Sequence, residues 1–195
     1  LGPDQLGGDD DAHQHADESA PWKLPLERRP LPHVHDDHQP GAGHGSHFGQ
    51  PADLLYSALA PAGGQVRRVE SRQTTWRPGR GLTVRYDARV AWPDGRVTDE
   101  MLVAATGTLH PQALVLEAGD LRVGVWRVPH DPWLPGLAAI TDPARLGPLL
   151  DSLDVAPGRV DQRIVSYRPG RRAVVRVHRA GITLFVKVTR PDHAQ

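Results

Sequence analysis

The residues most suited to chemistry lie near the C-terminal end: Arg168, Gly170, Arg171 and Arg172 gathered around Pro169, with a lone Lys187 downstream. Pro-Gly suits a type II turn, in which proline presets φ at the second position and glycine supplies the positive φ at the third. With arginines on both sides, the turn's backbone amides and guanidinium groups can converge on an anion such as phosphate. Lys187 stands between Val186 and Val188. An alternating strand with one lysine among apolar residues either shows it to solvent or aims it into a cleft beside the turn. Residues 159–190 hold nine Lys or Arg against a single Asp, so the local field favours anions such as nucleotides or nucleic acid. For each arginine the alternative is a solvated strand face.

The elements that must position these residues are short strands. Runs rich in Val, Ile, Tyr and Phe at 164–168, 173–178 and 183–189 break at Pro169-Gly170 and Ala180-Gly181, which predicts a twisted antiparallel meander. A helix over 143–153 leads into it, with Asp142 as N-cap, Pro143 at the first position and Leu146, Leu149, Leu150 and Leu153 as its apolar stripe. Upstream, strands are expected at 66–75, 82–92, 96–106, 113–117 and 121–128. Asp94-Gly95 is a hairpin signal there, because both residues tolerate positive φ. Leu82, Val84, Tyr86, Ala88, Val90 and Trp92 alternate with polar residues, so that strand has one buried and one wet face. A helix over 51–59 ends at Pro61-Ala62-Gly63-Gly64, and Leu54, Leu55, Ala58 and Leu59 face a core. There is also an internal echo, since Trp76-Arg-Pro-Gly-Arg80 and Tyr167-Arg-Pro-Gly-Arg171 share one pattern. The first copy has no lysine matching Lys187 and is expected to be structural.

The run 167–177, YRPGRRAVVRV, followed after a short turn by LFVKVTRP at 184–191, resembles the start of the small lobe in kinases of the aminoglycoside phosphotransferase and maltokinase type. The stretches 74–100 and 113–137 are similar to the N-terminal cap that precedes the small lobe in that group. The resemblance implies that residues 168–172 form the turn covering a nucleotide, so that Gly170, Arg171 and Arg172 line it, and that Lys187 pairs with ATP phosphates. It further implies ATP and Mg²⁺ as cofactors of a full-length parent, a nucleotide and a small-molecule acceptor as partners, and transfer of phosphate to a sugar or aminoglycoside hydroxyl. Such a kinase also needs a large lobe with a catalytic-loop Asp, a nearby Asn and a Mg²⁺-binding Asp. Nothing after Lys187 supplies these, so no catalytic residue is assigned. The chain is expected to be a fragment that does not transfer phosphate alone. His130-Asp131-Pro132 lacks the His-x-Asp spacing and the following Asn of a catalytic loop, and reads as turn chemistry.

Zero net charge hides an asymmetry: residues 1–50 hold nine acidic against three basic residues, and the remainder fourteen against twenty, about −6 and +6. Residues 1–50 are rich in Gly, Pro, Asp and His and poor in large apolar side chains, which predicts disorder. Seven of the eleven histidines lie there, in clusters at 13–15, 33–38 and 44–47 that suit adventitious divalent metal. The chain has no cysteine, hence no disulfide or thiolate metal site. No apolar run is long enough to span a membrane, and the expected location is cytoplasmic. The fold class is therefore α+β: small antiparallel sheets, two short helices, kinase-like small-lobe hairpins and a disordered N-terminal tail. It divides into the tail at 1–50, a mostly antiparallel β cap at 51–140, and a linking helix with the start of a small lobe at 141–195. The alternative to a phosphotransferase is a non-catalytic binding module using the basic meander and a metal-binding histidine tail. Nucleic acid is not the expected partner.

Overall fold

The computed structural model of the chain describes Arg29–Pro30 and residues 51–193. The histidine clusters of the N-terminal stretch, and its expected disorder, lie outside the described residues. Within that stretch, Arg29–Pro30 forms a two-residue strand, β1, parallel to a later strand. Two extended residues beside an open sheet edge can pair through backbone groups alone, a possibility that composition does not register.

Helix α1, Pro51–Leu59, has the expected limits and leads through a 3-10 turn, Ala60–Ala62, into the first sheet. That sheet contains β2 (Gln65–Arg77), β3 (Gly81–Ala91), β4 (Val97–Ala105), β5 (Leu114–Ala118) and β6 (Leu121–Arg127). Its order is β1-β5-β6-β4-β3-β2, antiparallel except where β1 meets β5. Helices α2 (Gly136–Ile140) and α3 (Pro143–Ser152) follow, then a three-stranded antiparallel meander of β7 (Asp161–Arg168), β8 (Arg172–Arg179) and β9 (Ile182–Thr189). The α+β class read from the sequence is thus the observed one. Among the described residues no helix is long and apolar enough to cross a membrane.

Because side chains alternate across a strand, the six-stranded sheet has two apolar faces. Tyr86, Ala88, Val90, Leu102, Ala104, Leu116, Val123 and Val125 pack under α1 through Leu54, Leu55 and Leu59. Val103, Ala105 and Trp126 share a second core with Leu134, Leu137, Leu146, Leu150 and the inward residues of the meander, Tyr167, Ala173, Val175, Val177 and Val188. This second core runs without interruption from the large sheet to the small one, which fixes where the Arg-Pro-Gly-Arg turn of the meander comes to rest.

Three local expectations change. The Asp94-Gly95 hairpin uses positive φ at Gly95 alone (80°). Trp92 N–H donates to the Arg96 carbonyl and Gly95 N–H to the Trp92 carbonyl, which makes a three-residue loop. Of the four leucines expected to face the core from α3, Leu146 and Leu150 are buried, while Leu149 and Leu153 are exposed. One side of this ten-residue helix meets the second core, and the i, i+4 pair Leu146 and Leu150 fills that contact. Helix α2 was not expected, because five residues are too few to display a helical period.

Candidate anion-binding site

The meander turn is held from beneath by a buried carboxylate. Asp131 is 1% exposed. Its Oδ2 accepts from the Gly170 N–H at 2.8 Å and the Tyr167 hydroxyl at 2.7 Å, and its Oδ1 accepts from the Trp133 N–H at 2.9 Å. The Tyr167 hydroxyl in turn accepts from Trp126 Nε1 on β6 at 3.1 Å. Trp133 closes against the turn, and a Cβ on Gly170, whose φ is 63°, would lie 3.2 Å from its indole. Over the same indole lies the Arg190 guanidinium at 4.2 Å, with the His110 ring edge-on at 4.7 Å.

Burial pushes the Asp131 carboxyl above the ordinary range, opposed by the hydrogen bonds from Gly170, Tyr167 and Trp133 and by nearby His110. Burial also raises the Tyr167 hydroxyl far above its usual value, with the Asp131 charge adding to the effect. Burial lowers His110; Asp131 opposes that and Arg190 reinforces it. Asp131 is shut away and its oxygens are occupied, so it is a positioning residue, in keeping with the turn chemistry expected of 130–132. The amide of Gly170, expected to meet an external anion, is instead spent on this internal one.

The first Arg-Pro-Gly-Arg turn has the same construction. Arg80 N–H donates to the Arg77 carbonyl and Arg171 N–H to the Arg168 carbonyl, both at 3.0 Å. Strand register pairs Arg77 with Gly81 and Arg168 with Arg172. Gly79 and Gly170, at equivalent places, have φ of 70° and 63°. The first turn is fastened to the end of β4: Leu82 N–H donates to Thr106 Oγ1 at 2.9 Å, and Thr106 N–H to the Leu82 carbonyl at 2.8 Å. Gly81 (φ 94°) and Gly107 (φ 84°) allow that approach, since a Cβ on Gly81 would run into the Thr106 carbonyl and one on Gly107 into the Arg80 carbonyl.

The two turns face a common cavity of about 300 Å³. Arg77 and Arg80 come from the first, Arg168 and Arg171 from the second, and Gln73, Thr75 and Thr83 of β2 and β3 add polar groups. The want of a matching lysine predicts a structural role for the first copy. Its arginines nevertheless share the cavity, because the common core folds the second hairpin back over the first. The echo itself was the signal that could have revealed this.

The remaining candidate residues separate. Lys187 is exposed, opposite Val174 on the outer face of the small sheet, and does not line the cavity. Arg172 is exposed and also lies outside the cavity lining. Two residues before Lys187 on the same face, Phe185 is 66% exposed and sits opposite Arg176, which Asp161 holds at 3.1 Å. Compared with known protein families, with curated proteins and with solved structures, the chain finds no match.

Proposed function

We propose that this chain is the nucleotide-holding part of a small-molecule phosphotransferase, an ATP-dependent kinase acting on a sugar or aminoglycoside hydroxyl. The observation that supports it is the outer face of β7–β9. There an exposed aromatic ring, Phe185, and the sole lysine of the described residues, Lys187, stand side by side. Lys187 has no ion-pair partner among the described residues. An aromatic platform next to a free cation suits a stacked base with its phosphates beyond it. Lys187 would hold the ATP phosphates as a point charge, while Arg171 and Arg172 strengthen the field from the turn. Among the described residues no group of three or more His, Cys, Asp or Glu side chains is placed to hold a metal ion. Their part is to bind and orient, and the transfer step falls to groups outside them. A cytoplasmic location is part of the same proposal, as the compartment that supplies ATP.

Calorimetric titration with ATP tests this reading. A charge-assisted phosphate contact is worth about 1.5–3 kcal/mol, so Lys187→Ala weakens binding roughly 10- to 150-fold, and Phe185→Ala weakens it separately. No saturable binding of ATP, or variants that bind as the wild type does, would overturn the proposal. The second reading, a binding module without transfer, is favoured by the arginine cavity, which exists independently of Lys187.

A further inference from the structure

We propose that the cavity between the two Arg-Pro-Gly-Arg turns is a site for a small molecule carrying one or two phosphate groups, distinct from the face that bears Lys187. Charge is the first argument. Arg77, Arg80, Arg168 and Arg171 line the space, and none has an ion-pair partner among the described residues. Four guanidinium groups gathered without a carboxylate repel one another, and an anion with several oxygens removes that repulsion. The carboxylates on the neighbouring stretch of the same strands are already engaged, Asp87 by Arg72 at 2.8 Å and Glu70 by Arg68 and Arg72. Asp131 lies beneath the second turn, saturated by its three donors.

A fifth cation adds to the field. Arg85 is opposite Gln73 in the register and two residues beyond Thr83, on the face that carries the cavity. Its Nε is buried with no hydrogen-bond partner among the described residues. Arg85 also lies close enough to Tyr167 to oppose the rise in that hydroxyl's pKa.

Shape and rigidity are the second argument. A volume of about 300 Å³ is at the small end of ligand sites, suited to phosphate, pyrophosphate or the phosphate ester of a small polyol. Guanidinium groups present paired N–H donors that match phosphate oxygens, and the Thr75 and Thr83 hydroxyls and the Gln73 amide can satisfy the remaining oxygens or an ester's hydroxyls. Both turns are fixed before any ligand arrives, one by Asp131 and Tyr167, the other by Thr106. Little ordering cost therefore falls on binding.

The test is calorimetry on this chain with inorganic phosphate, pyrophosphate and glucose 6-phosphate, against acetate and glucose, at constant ionic strength. The expected result is saturable binding of the phosphate compounds but not of acetate or glucose, weakened tenfold or more by Arg168→Gln or Arg77→Gln and abolished in the double variant. Arg168 is exposed and Arg77 half-buried, and neither side chain has an ion-pair partner among the described residues, so Arg168→Gln and Arg77→Gln keep the fold, which thermal melts verify. Lys187→Ala leaves this binding unchanged, and Arg77→Gln leaves the dependence of ATP binding on Lys187 and Phe185 in place, so failure of the nucleotide reading and failure of this one are told apart. Equal weak binding of every anion, arginine variants indistinguishable from the wild type, or loss of the phosphate binding in Lys187→Ala would each overturn a separate phosphate site.

Discussion

Replacing Asp131 tests how the second turn is held. In Asp131→Asn the best arrangement keeps the amide oxygen where Oδ2 accepts from Tyr167 and Gly170, at 2.7 and 2.8 Å. The new amide group then faces the Trp133 N–H, which had donated to Oδ1 at 2.9 Å. One backbone donor is left without an acceptor, at a cost of about 1–3 kcal/mol, partly offset because an amide is cheaper to bury than a charge. Asp131→Ala strands all three donors and costs about 3–5 kcal/mol, the range for removing one partner of a buried charged network. At roughly 2–4 °C per kcal/mol for a chain of this size, the alanine variant should melt on the order of 10 °C lower and the asparagine variant about 5 °C lower, read by circular dichroism. The pH dependence has a definite sign. Burial raises the folded-state pKa above the ordinary 3.8, so the folded chain holds this proton more tightly than the unfolded chain does. The wild type's margin over Asn is therefore widest below about pH 4 and narrows as pH rises through the folded pKa. An asparagine variant as stable as the wild type, or a margin that widens with pH, would refute this account of the latch.

Other outcomes follow from the same structure. Glu100, 7% exposed, accepts from Arg127 at 2.5 and 2.7 Å and from the Thr98 hydroxyl at 2.5 Å; Arg127→Ala leaves that carboxylate with Thr98 alone and should cost about 2–3 kcal/mol in denaturant unfolding, less than a fully buried pair because Arg127 is partly solvated and Thr98 remains. In an alkaline titration followed at the phenolate absorbance, Tyr86 and Tyr167 should resist ionisation above the ordinary value of 10, Tyr167 until the chain unfolds. Stability should fall with rising pH there, because only the unfolded chain releases those protons easily. In NMR, His110 should titrate below the ordinary 6.5, so its contribution to stability is present above that value and is lost as pH falls through the folded pKa. Arg190→Gln should move its midpoint upward, and an unmoved midpoint would remove Arg190 from the account.

Much of the fold could be read from period and punctuation. The alternation from Val84 to Val90 foretold a face that α1 covers, and Asp142 caps α3 by accepting from the Ala144 N–H at 3.0 Å. Positive φ at both Ala180 (50°) and Gly181 (79°) confirms a tight turn where that pair broke the pattern. What could not be read was the meeting of distant parts. Asp131 looked like a residue of a proline-broken loop, and only the core shared by Trp126, Tyr167 and Leu134 brings its carboxylate under a turn almost forty positions away. The candidate site was legible as a list of basic residues but not as an arrangement. Alternation left two directions open for Lys187, and burial of Val188 and Ala173 on the inward face decides for the exposed one.

Gly81 and Gly107 form an interlock whose consequence is epistatic. Each makes room for the backbone beside the other: Gly81 for the Thr106 carbonyl, Gly107 for the Arg80 carbonyl. Either alanine variant must push the same two segments apart and adopt a φ that a side chain disfavours, at about 1–3 kcal/mol. Once one has opened the gap, the second meets less resistance, so the double variant should lose clearly less stability than the two single losses added together. Mutational drift at this corner is then a one-way door: the first substitution is costly, the second comparatively cheap, and return requires both carbonyls to close together again.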